Sequence, residues 1–181
     1  MRRKREKVEI SGDDEQVVSF RLGKETFAVN VSQVREIGKV QDITKVPKMP
    51  EYIEGVVNLR GQITTVIDLK KRLHIAAEVG GGTTSASRII IAEIGDSQIG
   101  IIVDAVEDVM RISRSSISPL PKTLNTGVEA TSLTGICKLG DKLVMMLDLG
   151  SIMSESEKAR LTMNDQTQGT MQERAVAEVL K

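Results

Sequence analysis

The chain has a single cysteine, Cys137, among 181 residues, so it has neither an internal disulfide nor a cysteine-rich zinc site. Aromatic residues are almost as scarce, because Phe20, Phe27 and Tyr52 are the only ones. Three rings cannot form the stacking platform on which single-strand binders hold bases. Lys plus Arg equals Asp plus Glu at 25 each, so the positive field expected of a nucleic-acid binder is also missing.

Long apolar runs are absent as well. No stretch approaches the roughly 20 apolar residues of a membrane-spanning helix. The charged start, Met1 to Lys7, has no apolar signal core behind it. We therefore expect a cytoplasmic protein that is neither exported nor embedded in a membrane, and the lone cysteine fits a reducing compartment.

What the sequence does contain is an internal duplication, which is the first pattern to seek because it decides the fold. A shift of 72 positions superposes the segment Phe20–Ile37 on a later segment, and a shift of 80 does the same for Gly55–Leu69. The second copy therefore carries about eight extra residues, which we place around 123–130. The matched pairs are Leu22 with Ile94, Val34 with Val106, Glu36 with Asp108, Ile37 with Val109, Gly55 with Gly135 and Asp68 with Asp148.

The duplicated segments have the pattern of β-strands. Short runs rich in β-branched and apolar residues are separated by glycine-containing polar turns, which is typical of hairpins. Each half has about five such strands in about 70 residues, and closing so small a sheet into a barrel removes its exposed edges. The prediction is an all-β fold of two five-stranded barrels related by duplication, with a short C-terminal helix.

The predicted organisation has five parts. Residues 1–15 form a disordered polar tail, barrel 1 spans about 16–79, and a glycine-rich linker covers 80–87. Barrel 2 spans about 88–153, and residues 154–181 form a helical or frayed extension with a short apolar stripe.

The residues that could act in catalysis or bind a metal do not form a recognisable site. His74 is the only histidine and has no cysteine near it in sequence, and Cys137 matches Val57 of the first repeat, which indicates a small buried apolar group. Asp68 and Asp148 each end a strand before a helix-compatible stretch, so we predict that they cap those turns. No phosphate-binding loop is present. We expect no enzyme activity, no cofactor and no metal.

One stretch carries a family resemblance. Residues 52–69 resemble the signature of the CheW family of chemotaxis coupling proteins, and segments from 16 to about 153 follow the family order and spacing. Thr65 departs from the family pattern, which usually has proline there. The core of the match is Gly55-Val56-Val57-Asn58-Leu59-Arg60-Gly61, followed by a strand that ends in Asp68-Leu69.

The resemblance implies a fold and a function. It implies two SH3-like barrels in a non-enzymatic adaptor that couples methyl-accepting chemoreceptors to the histidine kinase CheA. The receptor tip is expected in a groove between the barrels, and the CheA regulatory domain is expected against pseudo-symmetric barrel surfaces. The implied receptor-binding residues are Val34, Glu36, Ile37, Arg60, Val106 and Val109, and the implied kinase-binding residues are Gly55, Asn58 and Gly135.

Alternatives remain for several of these residues. The valines and isoleucines are as readily explained as core, and Gly55 and Gly135 as positions that require a positive φ or a close backbone approach. Arg60 has no packing role in a turn, although an ion pair with Glu36 is a second explanation. A small β-barrel that binds nucleic acid is the alternative function, and the neutral charge and few aromatics argue against it.

Overall fold

The computed structural model describes residues 12–75, 82–121 and 132–160. Most of the predicted N-terminal tail, part of the linker, the predicted insertion and the extension beyond residue 160 lie outside the described residues. Eleven strands occur in the part that is described. They are β1 (Asp14–Leu22), β2 (Glu25–Asn30), β3 (Val34–Lys39), β4 (Ile53–Leu59), β5 (Gln62–Asp68), β6 (Arg88–Ile94), β7 (Ser97–Val103), β8 (Ala105–Ser113), β9 (Ile117–Ser118), β10 (Leu133–Leu139) and β11 (Lys142–Leu147).

The strands form two sheets, which confirms the all-β fold. Sheet A has the order β8-β1-β2-β11-β10-β9 and sheet B the order β3-β6-β7-β5-β4. Helix is limited to short pieces in the described chain: α1 (Leu69–Arg72), several 3₁₀ turns and a C-terminal helix at residues 155–160.

Each sheet takes strands from both halves of the chain, which differs from the predicted division into barrels 16–79 and 88–153. The β1–β2 hairpin of the first half pairs with β8 and, in parallel, with β11 of the second half. The β6–β7 hairpin pairs in the same way with β3 and β5. Because the two repeats are alike, the hairpin of one fits the sheet of the other, and sequence spacing alone does not distinguish the two arrangements.

The duplication extends to the irregularities of the sheets. A β-bulge interrupts the β1–β8 register between Ser19 and Phe20, and the equivalent bulge lies between Val34 and Glu36 in the β3–β6 pair. The β4–β5 and β10–β11 pairs share a second bulge, just before Gly55 and Gly135. Bulges at matching positions show that the two sheets follow one plan.

Neither sheet closes into a complete hydrogen-bonded ring, but the chain itself joins the ends. In sheet A, β8 continues through the 3₁₀ turn Arg114–Ser116 into β9, the strand at the opposite edge. In sheet B, the chain that follows β3 returns to β4, where Thr44 and Val56 exchange two backbone hydrogen bonds of 2.9 Å. The arrangement is compatible with the predicted SH3-like fold.

Three hydrophobic clusters stabilise this architecture. The largest lies between the sheets and includes Phe20 and Leu147 of sheet A together with Ile67 and Ile90 of sheet B. A smaller cluster lies on the other side of each sheet, one containing Cys137 and the other Val57. Cys137 is fully buried, which confirms the prediction that it is a small core residue.

Thr64 offers a way to test the packing. Its side chain is 1% exposed and its hydroxyl has no hydrogen-bond partner among the described residues. The repeat-related residue is Val144, which is also buried. Thr64→Val is therefore expected to raise the free energy of unfolding by about 1 kcal/mol, because a buried unpaired hydroxyl is replaced by an apolar group of the same shape. Urea denaturation measures the free energy of unfolding. A lower value for Thr64→Val, or a higher value for the matching substitution Val144→Thr, contradicts the prediction.

The C-terminal helix is attached to the sheets through a cluster of three side chains, Tyr52, Arg72 and Glu157. The Tyr52 hydroxyl donates to Glu157 Oε1 at 2.8 Å, and Arg72 Nη2 lies 3.0 Å from Glu157 Oε2. The Arg72 guanidinium also lies over the Tyr52 ring, 4.6 Å from its centre. Glu157 accepts from the backbone of Ser154 and forms a capping box with it, so one carboxylate both starts the helix and docks it.

This cluster predicts a loss of stability in acid. Burial by itself raises the pKa of Glu157, but hydrogen bonds from Ser154 and Tyr52 and the charge of Arg72 outweigh it and lower the pKa below its ordinary value. A carboxyl group with a lowered pKa stabilises the fold above its unfolded pKa, and this contribution disappears as the pH falls through its folded pKa. We expect the free energy of unfolding to decline below about pH 4.5 and Glu157→Gln to flatten that decline. Urea melts from pH 7 to pH 3 measure both, and parallel pH profiles for the two proteins contradict the assignment.

Candidate protein-interaction surface

The predicted receptor-binding residues fall mainly on two repeat-related strands, β3 and β8. Ile37 on β3 is 37% exposed and Val109 on β8 is 50% exposed, so both present apolar surface to solvent. Val34 and Val106 are half-buried and pack against the cluster between the sheets. The structure therefore separates the two interpretations of these residues: Val34 and Val106 are partly core, whereas Ile37 and Val109 are free to contact a partner.

The bulge in β3 shapes this surface. Val34 and Glu36 pair with the consecutive residues Ala92 and Ile91 of β6, so Arg35 is the additional residue of the bulge. β3 lies at the end of sheet B and pairs with β6 alone in that sheet. Its residues from Arg35 to Ile37 are all exposed.

Arg60 lies at the tip of the β4–β5 hairpin and extends toward β3. Its Nη2 is 3.2 Å from Glu36 Oε1, and the two side chains are 84% and 47% exposed. The backbone of Arg60 has a φ of 52°, in the left-handed region, where the repeat-related Gly140 has a φ of 60°. A non-glycine residue in this region costs about 1–2 kcal/mol of conformational free energy. Arg60 therefore occupies a backbone position that is better suited to glycine.

Asn58 holds the turn that carries Arg60. Its side-chain oxygen accepts a hydrogen bond of 2.8 Å from the backbone N–H of Gly61. Gly61 has a φ of 85°, which completes a tight two-residue turn between Leu59 and Gln62. Asn58 is exposed, so this local role leaves part of its side chain accessible.

Gly55 and Gly135 are buried and closely approached by a neighbouring strand or loop. A Cβ atom on Gly55 would lie 2.1 Å from the Thr44 carbonyl oxygen, and one on Gly135 would lie 2.5 Å from Ile117 Cγ2 and 2.8 Å from the Ser118 carbonyl oxygen. The close-approach interpretation is therefore confirmed for both. A contact with a kinase at these positions stays a prediction. Because the glycines are buried, exposed residues around them would have to contact the kinase.

Two further exposed apolar residues escaped the sequence interpretation. Ile63 is 37% exposed and Leu143 is 60% exposed, and the shift of 80 positions relates them. Ile63 lies opposite Asn58 in the β4–β5 pair, and Leu143 lies opposite Lys138 in the β10–β11 pair. Strand alternation sets them on the same faces as the buried Ile67 and Leu147, so the sequence pattern gave no signal that they are exposed.

The remaining candidate residues of the sequence, Asp68, Asp148 and His74, lie at or next to short helical turns. Asp68 accepts from the backbone of Lys70 and Lys71, and Asp148 accepts from that of Gly150, so both cap the turns that follow them as predicted. His74 is exposed just beyond α1, with a φ of 53°. Among the described residues, no helix is long and apolar enough to cross a membrane.

Comparison with known proteins agrees with this architecture. A family model described as CheW-like domain matches residues 16–157. The chain is 32% identical over 153 residues to Chemotaxis protein CheW of Treponema pallidum, covering 84% of this chain and 89% of the relative. It is 35% identical over 159 residues to Chemotaxis protein CheW of Bacillus subtilis, covering 87% and 97%.

A solved structure shares the fold. The crystal structure of scaffolding protein TtCheW from Thermoanaerobacter tengcongensis superposes with a TM-score of 0.70 at 40% sequence identity, covering 77% of this chain and 88% of that one. Identity at this level over most of both chains, together with the family match, is sufficient to assign the family. The chain belongs to the CheW-like domain family.

Proposed function

We propose that this protein is a non-enzymatic adaptor that couples methyl-accepting chemoreceptors to the histidine kinase CheA. Its relatives in Treponema pallidum and Bacillus subtilis are named chemotaxis proteins, and the solved neighbour is titled a scaffolding protein. As a scaffold it acts by binding, in the cytoplasm, where it is recruited to receptor arrays at the membrane.

Exposed apolar side chains at repeat-related positions of β3 and β8 are the observation that carries this proposal. Ile37 and Val109 are two of the four large apolar side chains that stand out as exposed in the described chain, and they occupy repeat-related positions. Charged Glu36 directly precedes Ile37 on β3, and Arg60 is paired with Glu36. Apolar residues with a charged rim are typical of protein-protein interfaces, in which the apolar part provides affinity and the charges provide specificity.

The kinase is proposed to bind at pseudo-symmetric surfaces near Gly55 and Gly135, with Asn58 on the first of them. The two glycines lie at matching positions of β4 and β10, three residues before the exposed Asn58 and Lys138 of the same strands. A coupling protein has to bind both partners at once, and the two proposed sites adjoin at the β4–β5 turn, where Asn58 holds the turn that carries Arg60.

Reconstitution from purified parts tests the proposal. Kinase, receptor cytoplasmic fragment and this protein are mixed, and co-sedimentation and kinase autophosphorylation are measured with each part omitted in turn. We expect receptor control of the kinase only when this protein is present. Ile37→Asp is expected to abolish receptor binding and to leave kinase binding intact. Binding to neither partner, or binding to nucleic acid instead, overturns the proposal.

A further inference from the structure

Gln33 joins the start of β3 to the opposite half of the chain. It is the last residue of the 3₁₀ turn Val31–Gln33, directly before β3. Its Nε2 donates to Asp148 Oδ1 at 2.6 Å, and its Oε1 accepts from the Leu149 backbone N–H at 3.3 Å. The amide thus uses both its donor and its acceptor on one turn that is more than 110 residues away in sequence.

The contact is partly buried and lies at a carboxylate with several other donors. Burial by itself raises the pKa of Asp148, but hydrogen bonds from Gln33, Ser151 and Gly150 outweigh it and lower the pKa. A hydrogen bond to a charged acceptor is stronger than one between neutral groups. The Gln33 contact (Gln33, Asp148 and Leu149) therefore holds the turn before β3 more firmly than a neutral pair does.

The second repeat fixes the matching position through a different contact. The residue related to Gln33 by the shift of 72 positions is Ala105, which has no group to make either bond. Sheet A is formed nevertheless, and β8 pairs with β1 along eight matched positions. Asp104, directly before Ala105, accepts from the Gly23 N–H at 2.7 Å and lies 2.8 Å from Lys70 Nζ, so the start of β8 is held by its own polar contacts. The Gln33 amide is therefore the contact specific to the start of β3.

We propose that Gln33 is a positioning residue that holds the start of β3 in its binding orientation and so sets the affinity for the receptor tip. The inference rests on the proposed function. β3 pairs with β6 alone in sheet B, and Glu36 and Ile37 follow the turn within four residues. Asn30 fixes the beginning of the turn, where its side chain accepts from the Ser32 N–H at 2.9 Å, and Gln33 fixes its end. A strand held at its start loses less conformational freedom when a partner binds.

Two substitutions at the same carboxylate separate positioning from stability. Gln33→Leu keeps the size of the side chain and removes both hydrogen bonds. Ser151→Ala removes a different bond to Asp148, the one of 2.8 Å from the Ser151 hydroxyl, and has no link to β3. We expect Gln33→Leu to weaken binding of the receptor fragment about fivefold, with kinase affinity unchanged, and Ser151→Ala to leave both affinities unchanged. Hydrogen exchange of the Leu149 amide is expected to be faster in Gln33→Leu alone.

The outcomes are distinguishable. Equal losses of receptor and kinase affinity in Gln33→Leu, or an equal loss of receptor affinity in Ser151→Ala, show that the contact only stabilises the fold and overturn the inference. Unchanged receptor affinity in Gln33→Leu overturns it too, while Ile37→Asp in the same assay shows whether the receptor site stands. If Ile37→Asp also binds normally, the proposed receptor site is wrong and the inference fails with it.

Discussion

Arg60→Ala is expected to weaken association with the receptor fragment at least about tenfold and to leave the melting temperature nearly unchanged, because a desolvated guanidinium at an interface contributes on the order of 2 kcal/mol. Within the free protein the side chain is 84% exposed and contacts the 47% exposed Glu36. An ion pair so exposed is screened by solvent and contributes about 0–1 kcal/mol to folding. Titration calorimetry and thermal melts measure the two quantities separately.

Arg60→Gly is the matched control for backbone strain. The arginine has a φ of 52°, and Gly140 occupies the same turn position in the second repeat with a φ of 60°. Glycine relieves the left-handed strain, so Arg60→Gly is expected to be at least as stable as Arg60→Ala and to bind as weakly. A variant that melts early and, once folded, binds both partners normally would return Arg60 to a structural role.

Gly55→Ala is expected to reduce the free energy of unfolding by at least about 3 kcal/mol, because the substitution combines a backbone clash with a strained dihedral angle. The added Cβ would lie 2.1 Å from the Thr44 carbonyl oxygen, and the φ of 146° is rarely adopted by residues with a side chain. The clash is with backbone, and it breaks the contact between Thr44 and β4. Urea denaturation, or the loss of soluble folded protein, measures the effect.

Gly95→Ala separates the clash from the dihedral strain. Gly95 has a φ of 60°, but a Cβ there would meet nothing within 4 Å. Its substitution is expected to cost only about 1 kcal/mol. If the two substitutions reduce the free energy of unfolding equally, the close approach of Thr44 to Gly55 is not the reason for the loss. A weakened kinase interaction in Gly55→Ala is informative only when the variant is shown to be folded, since the glycine is buried.

Much of the local structure follows from residue types and spacing. The hairpins at Gly23 and Gly95, the caps at Asp68 and Asp148 and the turn at Gly61 are all decided within a few residues of chain. The duplication predicted that the two halves share their strands and turns, and the structure adds that they share their bulges. The exposed position of Arg60 followed from the same comparison, because Gly140 stands in its place.

The surface residues were predicted less completely. The resemblance named Ile37 and Val109, but residue type alone did not separate them from the half-buried Val34 and Val106. Ile63 and Leu143 were missed, because an apolar residue in a strand is expected to face the core unless the neighbouring strands are known. Exposure is a property of the whole sheet and its neighbours.

The sequence by itself determined the strands, their turns, the repeat and the family, since each depends on dihedral preferences and spacing along a short stretch of chain. Only the tertiary structure decided which sheet each hairpin joins, because two similar repeats offer each hairpin two similar edges. It also decided the long-range contacts of Gln33 with Asp148 and of Glu157 with Tyr52 and Arg72. These polar contacts join residues 85 to 115 positions apart, and no periodicity of the chain encodes a partner at that distance.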